Sequence, residues 1–214
     1  MPNPRTALAS AFLTAALCFP LFAQTEGEIP AEPDWIVENI NSYARGSMVF
    51  TMSLGVTFPV LFLDNQFKPY HGHAESVFPG NINVGGTGFL SISYFLSPHW
   101  FLGGTLQGMF ASTIRETMLF MIPLGIQGGY QFVAGPVEFP LYLMFGISPK
   151  SHGDAGNLSL FIKAGAAAFL RFHSNWSIGI NAAWWFVPEW PKEGADKNRY
   201  GNLVETTLAV RYHF

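Results

Sequence analysis

The sequence predicts an all-β fold, an eight-stranded antiparallel up-and-down barrel whose outer wall faces lipid. Three observations predict it. Apolar and polar residues alternate with period two along most of residues 47–214, which is the signature of strands with two unlike faces. The chain of 214 residues is 49% hydrophobic and 16% aromatic but only 12% charged, about half the charged fraction of an ordinary soluble domain. After residue 23 no apolar run approaches the length of about 20 residues that a membrane helix needs. An alternating wall in lipid is the arrangement that satisfies all three.

Residues 1–23 read as a signal peptide, with Arg5 as the positive start, Ala7 to Phe22 as the apolar core and a cut before Gln24. Cys18 raises lipidation as an alternative, but Leu17 before it does not suit that motif. If Cys18 leaves with the leader, disulfide and thiol chemistry leave with it. Residues 24–46 read as a periplasmic N-terminal segment. Asp34 to Arg45 carries a helical pattern, with Ile36, Ile40 and Tyr43 on one face and Gly46 as its stop. The segment is expected to pack against the barrel rim, with a plug in the lumen as the alternative.

The barrel is expected over 47–214. The first strand, Ser47 to Phe62, sets Met48, Phe50, Met52, Leu54, Val56 and Phe58 against Thr51, Ser53, Gly55 and Thr57. The second runs from Asn81 to Ser97 and the third from Trp100 to Ala111. The fourth, Met118 to Phe132, contains Pro123, which cannot donate to a ladder, so a bulge is expected there. The fifth is Val137 to Ile147, the sixth Asn157 to Phe172 and the seventh Trp176 to Val187. The eighth, Leu203 to Phe214, alternates Val204, Thr206, Leu208, Val210, Tyr212 and Phe214 with Glu205, Thr207, Ala209, Arg211 and His213. The connections alternate long and tight, as in barrels with short periplasmic turns and longer outer loops. Aromatics gather near both ends of the strands, as two membrane interfaces require.

The second face carries glycines, serines and charges, and no dry core is expected there. Its charged residues are Glu138, Arg171 and Arg211, low in the barrel, and Lys163 and Glu205, higher. A salt-bridge network in a filled lumen is one reading, because eight strands leave just enough room for side chains. A narrow passage lined by these charges is the other.

Phe214 ends an alternating aromatic strand in a chain that starts with a hydrophobic leader. That combination resembles the C-terminal strand of bacterial outer-membrane barrels, and residues 47–214 resemble the small eight-stranded class of the OmpA membrane domain, OmpX and OmpW. The resemblance implies an integral outer-membrane protein. It implies that Tyr212 and Phe214 serve as an assembly signal, and that outer-membrane lipid and the barrel-assembly machinery are partners. It suggests a channel or passage for small, including hydrophobic, molecules. The alternative is a closed structural or surface-adhesion barrel acting through loops 63–80, 148–156 and 188–200. A monomer suffices.

No enzyme is expected. His173-Ser174-Asn175 is superficially similar to the His/Ser/Asn region of the lipid A deacylases, but its His and Ser are adjacent and it sits in an expected periplasmic turn. His71-Gly72-His73, with Asp64 and Glu75, offers too few fixed ligands for a metal. Neither a metal nor another cofactor is expected. The net charge of -3 excludes a nucleic-acid partner.

Overall fold

A period-two chain in lipid can bury its second face by curling round and pairing its last strand with its first. The computed structural model does this. It describes residues 43–69, 81–113, 118–152, 155–189 and 198–214, with side chains described outside 150–157. The strands are β1 (Met48–Leu63), β2 (Gly85–Phe95), β3 (Trp100–Ser112), β4 (Met118–Met121), β5 (Leu124–Ala134), β6 (Val137–His152), β7 (Ala155–His173), β8 (Trp176–Glu189) and β9 (Arg199–His213). Neighbours in sequence pair antiparallel. Thr51 lies between Ser91 of β2 and Arg211 of β9, so the sheet closes on itself. The leader and most of the expected helix lie outside the described residues. Of that helix, Tyr43 to Arg45 are described, and they form an irregular turn.

Nine strands make eight staves, because β4 and β5 are one stave interrupted at Ile122 and Pro123. The expected bulge is a clean break instead. Met109 opposes Met121 and Leu106 opposes Leu124, so the register runs through unchanged. Proline supplies no N–H, and the neighbours bridge the gap. Gln107 N–H donates to the Pro123 carbonyl at 2.8 Å, and Ile122 N–H to that of Pro149 at 2.9 Å. True bulges fall at Val60, between the β1–β9 pairs Pro59/Leu203 and Leu61/Asn202, and at Phe172 in the β7–β8 pairing.

The pleat sorts the side chains. Leu54, Leu143 and Leu208 point outward and are more than 60% exposed, whereas Thr51, Gln107, Ser177 and Glu205 point inward and are buried. An apolar outer wall around a partly polar interior is stable only in hydrocarbon. No helix among the described residues is long and apolar enough to cross a membrane; strands do the crossing. At the end bearing the tight turns, Trp100 meets Tyr130 edge-on at 5.2 Å, and Tyr212 lies 4.9 Å from both Trp176 and Phe214. These rings form an interfacial girdle.

The expectation of an interior without a dry core is corrected. The loop end of the lumen holds an apolar cluster that includes Phe62, Met109, Met121, Met144, Phe161, Trp185 and Leu203. Closure brings these residues from seven strands into mutual contact, and the bulge at Val60 turns Phe62, which shares the parity of the outer face, inward.

Candidate functional site

The interior is stacked in layers below the apolar cluster. The first layer is centred on Lys163 of β7 and Glu205 of β9, both wholly buried. The Lys163 ammonium pairs with Glu205 Oε1 and donates to Gln107 Oε1 at 3.2 Å. Phe89 and Trp185 flank it, each ring centroid 4.8 Å away. Glu205 Oε2 accepts from Gln107 Nε2 at 2.6 Å and from the Thr87 hydroxyl at 3.2 Å. Buried charges persist only when paired and hydrogen-bonded, and this pair meets both conditions with groups from β2, β3, β7 and β9.

Below it lies a cavity of about 20 Å³ lined by Thr51, Ser91, Ser93, Gln127, Asn181 and Arg211, among others. That is room for roughly one water molecule. Tyr142 crosses the lumen here, its hydroxyl donating to Asn181 Oδ1 at 2.7 Å. It can lie flat because Gly165 opposes it; a Cβ on Gly165 would sit 2.3 Å from the Tyr142 ring.

The second charged layer joins Glu138 of β6, Arg171 of β7 and Arg211 of β9. Arg211 Nη1 reaches Glu138 Oε2 at 3.3 Å and Gln131 Oε1 at 3.3 Å. Arg171 Nε stands 3.7 Å from Glu138 Oε1, close enough for an ion pair but not for a hydrogen bond. The guanidinium of Arg211 also lies 3.8 Å from the centre of the Phe169 ring.

Tyr43 forms the floor. Its ring stacks on Phe95 with centroids 4.0 Å apart and planes 8° apart. Its hydroxyl donates to Glu138 Oε2 at 2.8 Å and lies 3.2 Å from His213 Nδ1. His213 Nε2 in turn meets the Ser177 hydroxyl at 2.7 Å. Gly46, at a φ of 97° that glycine adopts without strain, turns the chain from Tyr43 into β1. Burial pushes the Tyr43 hydroxyl above its ordinary range, against the pull of Arg211. Tyr43 is thus a lumen residue rather than part of a helix face.

All five charged positions read from the sequence are therefore in the interior, sorted into a low trio and a high pair. The sequence reading did not single out Gln107, Thr87, Gln131, Ser177 and His213, although alternation places each on the inner face. Tyr43 lies before the first strand and gave no such signal. Tyr212 and Phe214 stand on the outer wall, with Phe214 72% exposed. His71, His73 and Glu75 lie outside the described residues. Asp64 caps its own loop, accepting from the backbone N–H of Gln66 and Lys68 at 2.8 and 2.9 Å. The His173-Ser174-Asn175 tripeptide shapes the β7–β8 turn: Ser174 donates to Asn175 Oδ1 at 2.9 Å, and Asn175 N–H to His173 Nδ1 at 3.3 Å.

A protein-family model matches residues 31–212. The chain belongs to that family. An uncharacterized protein of Treponema pallidum is 29% identical over 132 residues, which cover 61% of this chain and 60% of the relative. The chain therefore spans less than two thirds of that relative's length. An uncharacterized protein of Borreliella burgdorferi is 22% identical over 194 residues, covering 80% of this chain and 85% of the relative. The crystal structure of Neisserial surface protein A is similar with a TM-score of 0.53 at 12% identity, over 79% of this chain and 97% of that one. Together with the closed sheet and apolar wall, this places the fold among the small bacterial outer-membrane barrels.

Proposed function

We propose that the protein is an outer-membrane barrel with a closed lumen, acting as a structural or surface-interaction element rather than as a channel through its axis. The observation that carries this is the stacking of the interior. Two charged layers, an apolar cluster and the Tyr43 floor follow one another, and the space between the charged layers holds about 20 Å³. A hydrated ion does not fit through that sequence without breaking both ion-pair layers. In this reading the end with Tyr43 and Phe214 faces the periplasm. The outer wall contacts outer-membrane lipid, and Tyr212 and Phe214 present the C-terminal strand to the assembly machinery. The test is conductance in a planar bilayer, wild type beside Glu205→Ala. Silent wild-type protein supports the closed lumen; discrete wild-type openings that change in the variant reinstate the passage.

A second reading, sideways passage of a small hydrophobic molecule between lumen and membrane, has one observation in its favour. The β6–β7 pairing is interrupted between Glu138/Phe169 and Leu141/Ala166, where Pro140 lacks an N–H. Against the same wall an outward groove of about 360 Å³, lined by Trp100, Tyr130, Leu141, Leu143 and Ala164, reaches Tyr142, which also borders the inner cavity. Such transfer carries no current, so it needs an uptake assay. A disulfide joining Phe139→Cys and Ala168→Cys across the interruption abolishes uptake if the wall is the route.

A further inference from the structure

The lipid-facing wall is not uniformly bulky. At the tight-turn girdle Trp100, Tyr130 and Leu141 stand side by side on β3, β5 and β6. Two residues further along, about 7 Å up the strands, the neighbours are Gly128, Leu143 and Ala164 on β5, β6 and β7. Leu143 is 62% exposed, and the two small residues beside it let the wall sink. These six residues line the outward groove of about 360 Å³, a volume within the range of roughly 300–1,000 Å³ that ligand clefts span.

The polarity of the groove changes along its length. Leu143, Gly128 and Ala164 bring no polar side-chain atom to its upper part. Tyr142 also lines it, but its hydroxyl turns into the lumen and donates to Asn181. The polar tips left in the lining are the indole N–H of Trp100 and the phenol of Tyr130. Both sit in the girdle, the level at which amphipathic rings meet lipid headgroups. A groove that is apolar along its length and polar at its interfacial end fits an amphiphile standing along the membrane normal.

We propose that this groove binds one phospholipid of the leaflet at the tight-turn end. The part of an acyl chain nearest the headgroup lies over Gly128 and Ala164, and the glycerol or phosphate oxygens accept from Trp100 and Tyr130. The groove is continuous with the interface that the girdle already occupies, so lipid enters it sideways from the bilayer. Between apolar surfaces in hydrocarbon the attraction comes from packing rather than from expelled water. A chain in the groove touches its floor and both banks, whereas a chain on the convex wall touches one surface. The site rests on the membrane placement of the wall and not on either reading of the lumen.

The probe is a bilayer of phosphatidylethanolamine and phosphatidylglycerol. The protein is refolded into these vesicles, extracted in mild detergent and weighed by native mass spectrometry. The expected wild-type species is a barrel carrying one phospholipid. Gly128→Leu fills the groove, and a Cβ there meets nothing closer than 3.7 Å, so the variant folds and loses the adduct. Gly108→Leu is the control: a Cβ there meets nothing within 4 Å, the position lies nearer the loop end, and the adduct stays. Trp100→Phe keeps a ring but removes the N–H, and the retained fraction falls roughly tenfold. An inserted wild-type barrel without the adduct overturns the proposal, as does an adduct that survives Gly128→Leu or is lost equally in Gly108→Leu. A wild-type dimer that Gly128→Leu disperses assigns the groove to a second copy and overturns it too. Insertion is read separately by heat modifiability. A chain that does not insert overturns the membrane placement and the site with it, whereas conductance and uptake report only on the lumen and the sideways route.

Discussion

Replacing Glu205 by Gln keeps the shape of the side chain and removes its charge. Lys163 is then a wholly buried ammonium with Gln107 Oε1 as its remaining oxygen partner and two aromatic faces beside it. The new amide also turns at least one donor toward Gln107 or Lys163, where the carboxylate only accepted. Removing one member of a buried pair typically costs about 3–5 kcal/mol, because the other charge stays behind uncompensated. With a urea slope of about 2 kcal/mol per molar, the midpoint falls by roughly 1.5–2.5 M. Lys163→Met strands the Glu205 carboxylate in the same way and destabilises the barrel to a similar degree. The double variant removes both charges, and apolar replacement of a whole buried pair is often neutral. It therefore regains part of the loss, costing about 2–3 kcal/mol less than the sum of the two single variants. The assay is urea unfolding in phospholipid vesicles followed by tryptophan emission. Trp185 reports directly, since it lies over Lys163. A Glu205→Gln midpoint within about 0.5 M of wild type, or a double variant whose loss equals the sum of the singles, refutes the argument that the layer is an ion pair in a low dielectric.

Other expectations concern the two ends and the wall. Tyr43→Phe keeps the stacking on Phe95 but takes the donor from Glu138, at a cost of about 1.5–3 kcal/mol; Tyr43→Ala loses the ring as well and costs more, both read as urea midpoints. The raised Tyr43 value fixes the sign of the pH effect: its contribution is complete below the ordinary tyrosine value of 10.0 and is lost as pH climbs above it. Wild type should therefore lose stability relative to Tyr43→Phe progressively as pH rises above the ordinary value of 10.0. Gly165→Ala places a Cβ against the Tyr142 ring and destabilises by about 1–3 kcal/mol; Tyr142→Ala in the same chain relieves the clash, so the pair is less than additive in urea unfolding. Deleting Phe214 leaves the lumen layers in place but removes the exposed terminal ring, and the amount of heat-modifiable folded barrel recovered from outer membranes should drop several-fold if that ring serves assembly.

Period-two alternation carried the barrel and the sorting of faces because a strand's side-chain direction is a local property. Glu138, Lys163, Arg171, Glu205 and Arg211 could be assigned to the inner face, and even to two heights, by counting from the strand ends. Proline placed the interruption of the fourth stave, but only the register showed that no residue is inserted there. Which inner residues touch was decided by closure. Gln107 and Glu205 are 98 positions apart, and Tyr43 and His213 are 170 apart. No periodicity encodes such pairs; they depend on how far successive strands are staggered around the barrel. The same stagger sets the cavity beside Arg211. Tyr43 shows the limit most clearly. Its sequence neighbourhood suggested a helix, and its place is fixed by Phe95, Glu138 and His213, which local sequence does not bring near it. Alternation determined which way each strand residue points, because that follows from the strand's own geometry; what each meets there was determined by the closed sheet, because those contacts are made across the lumen and not along the chain.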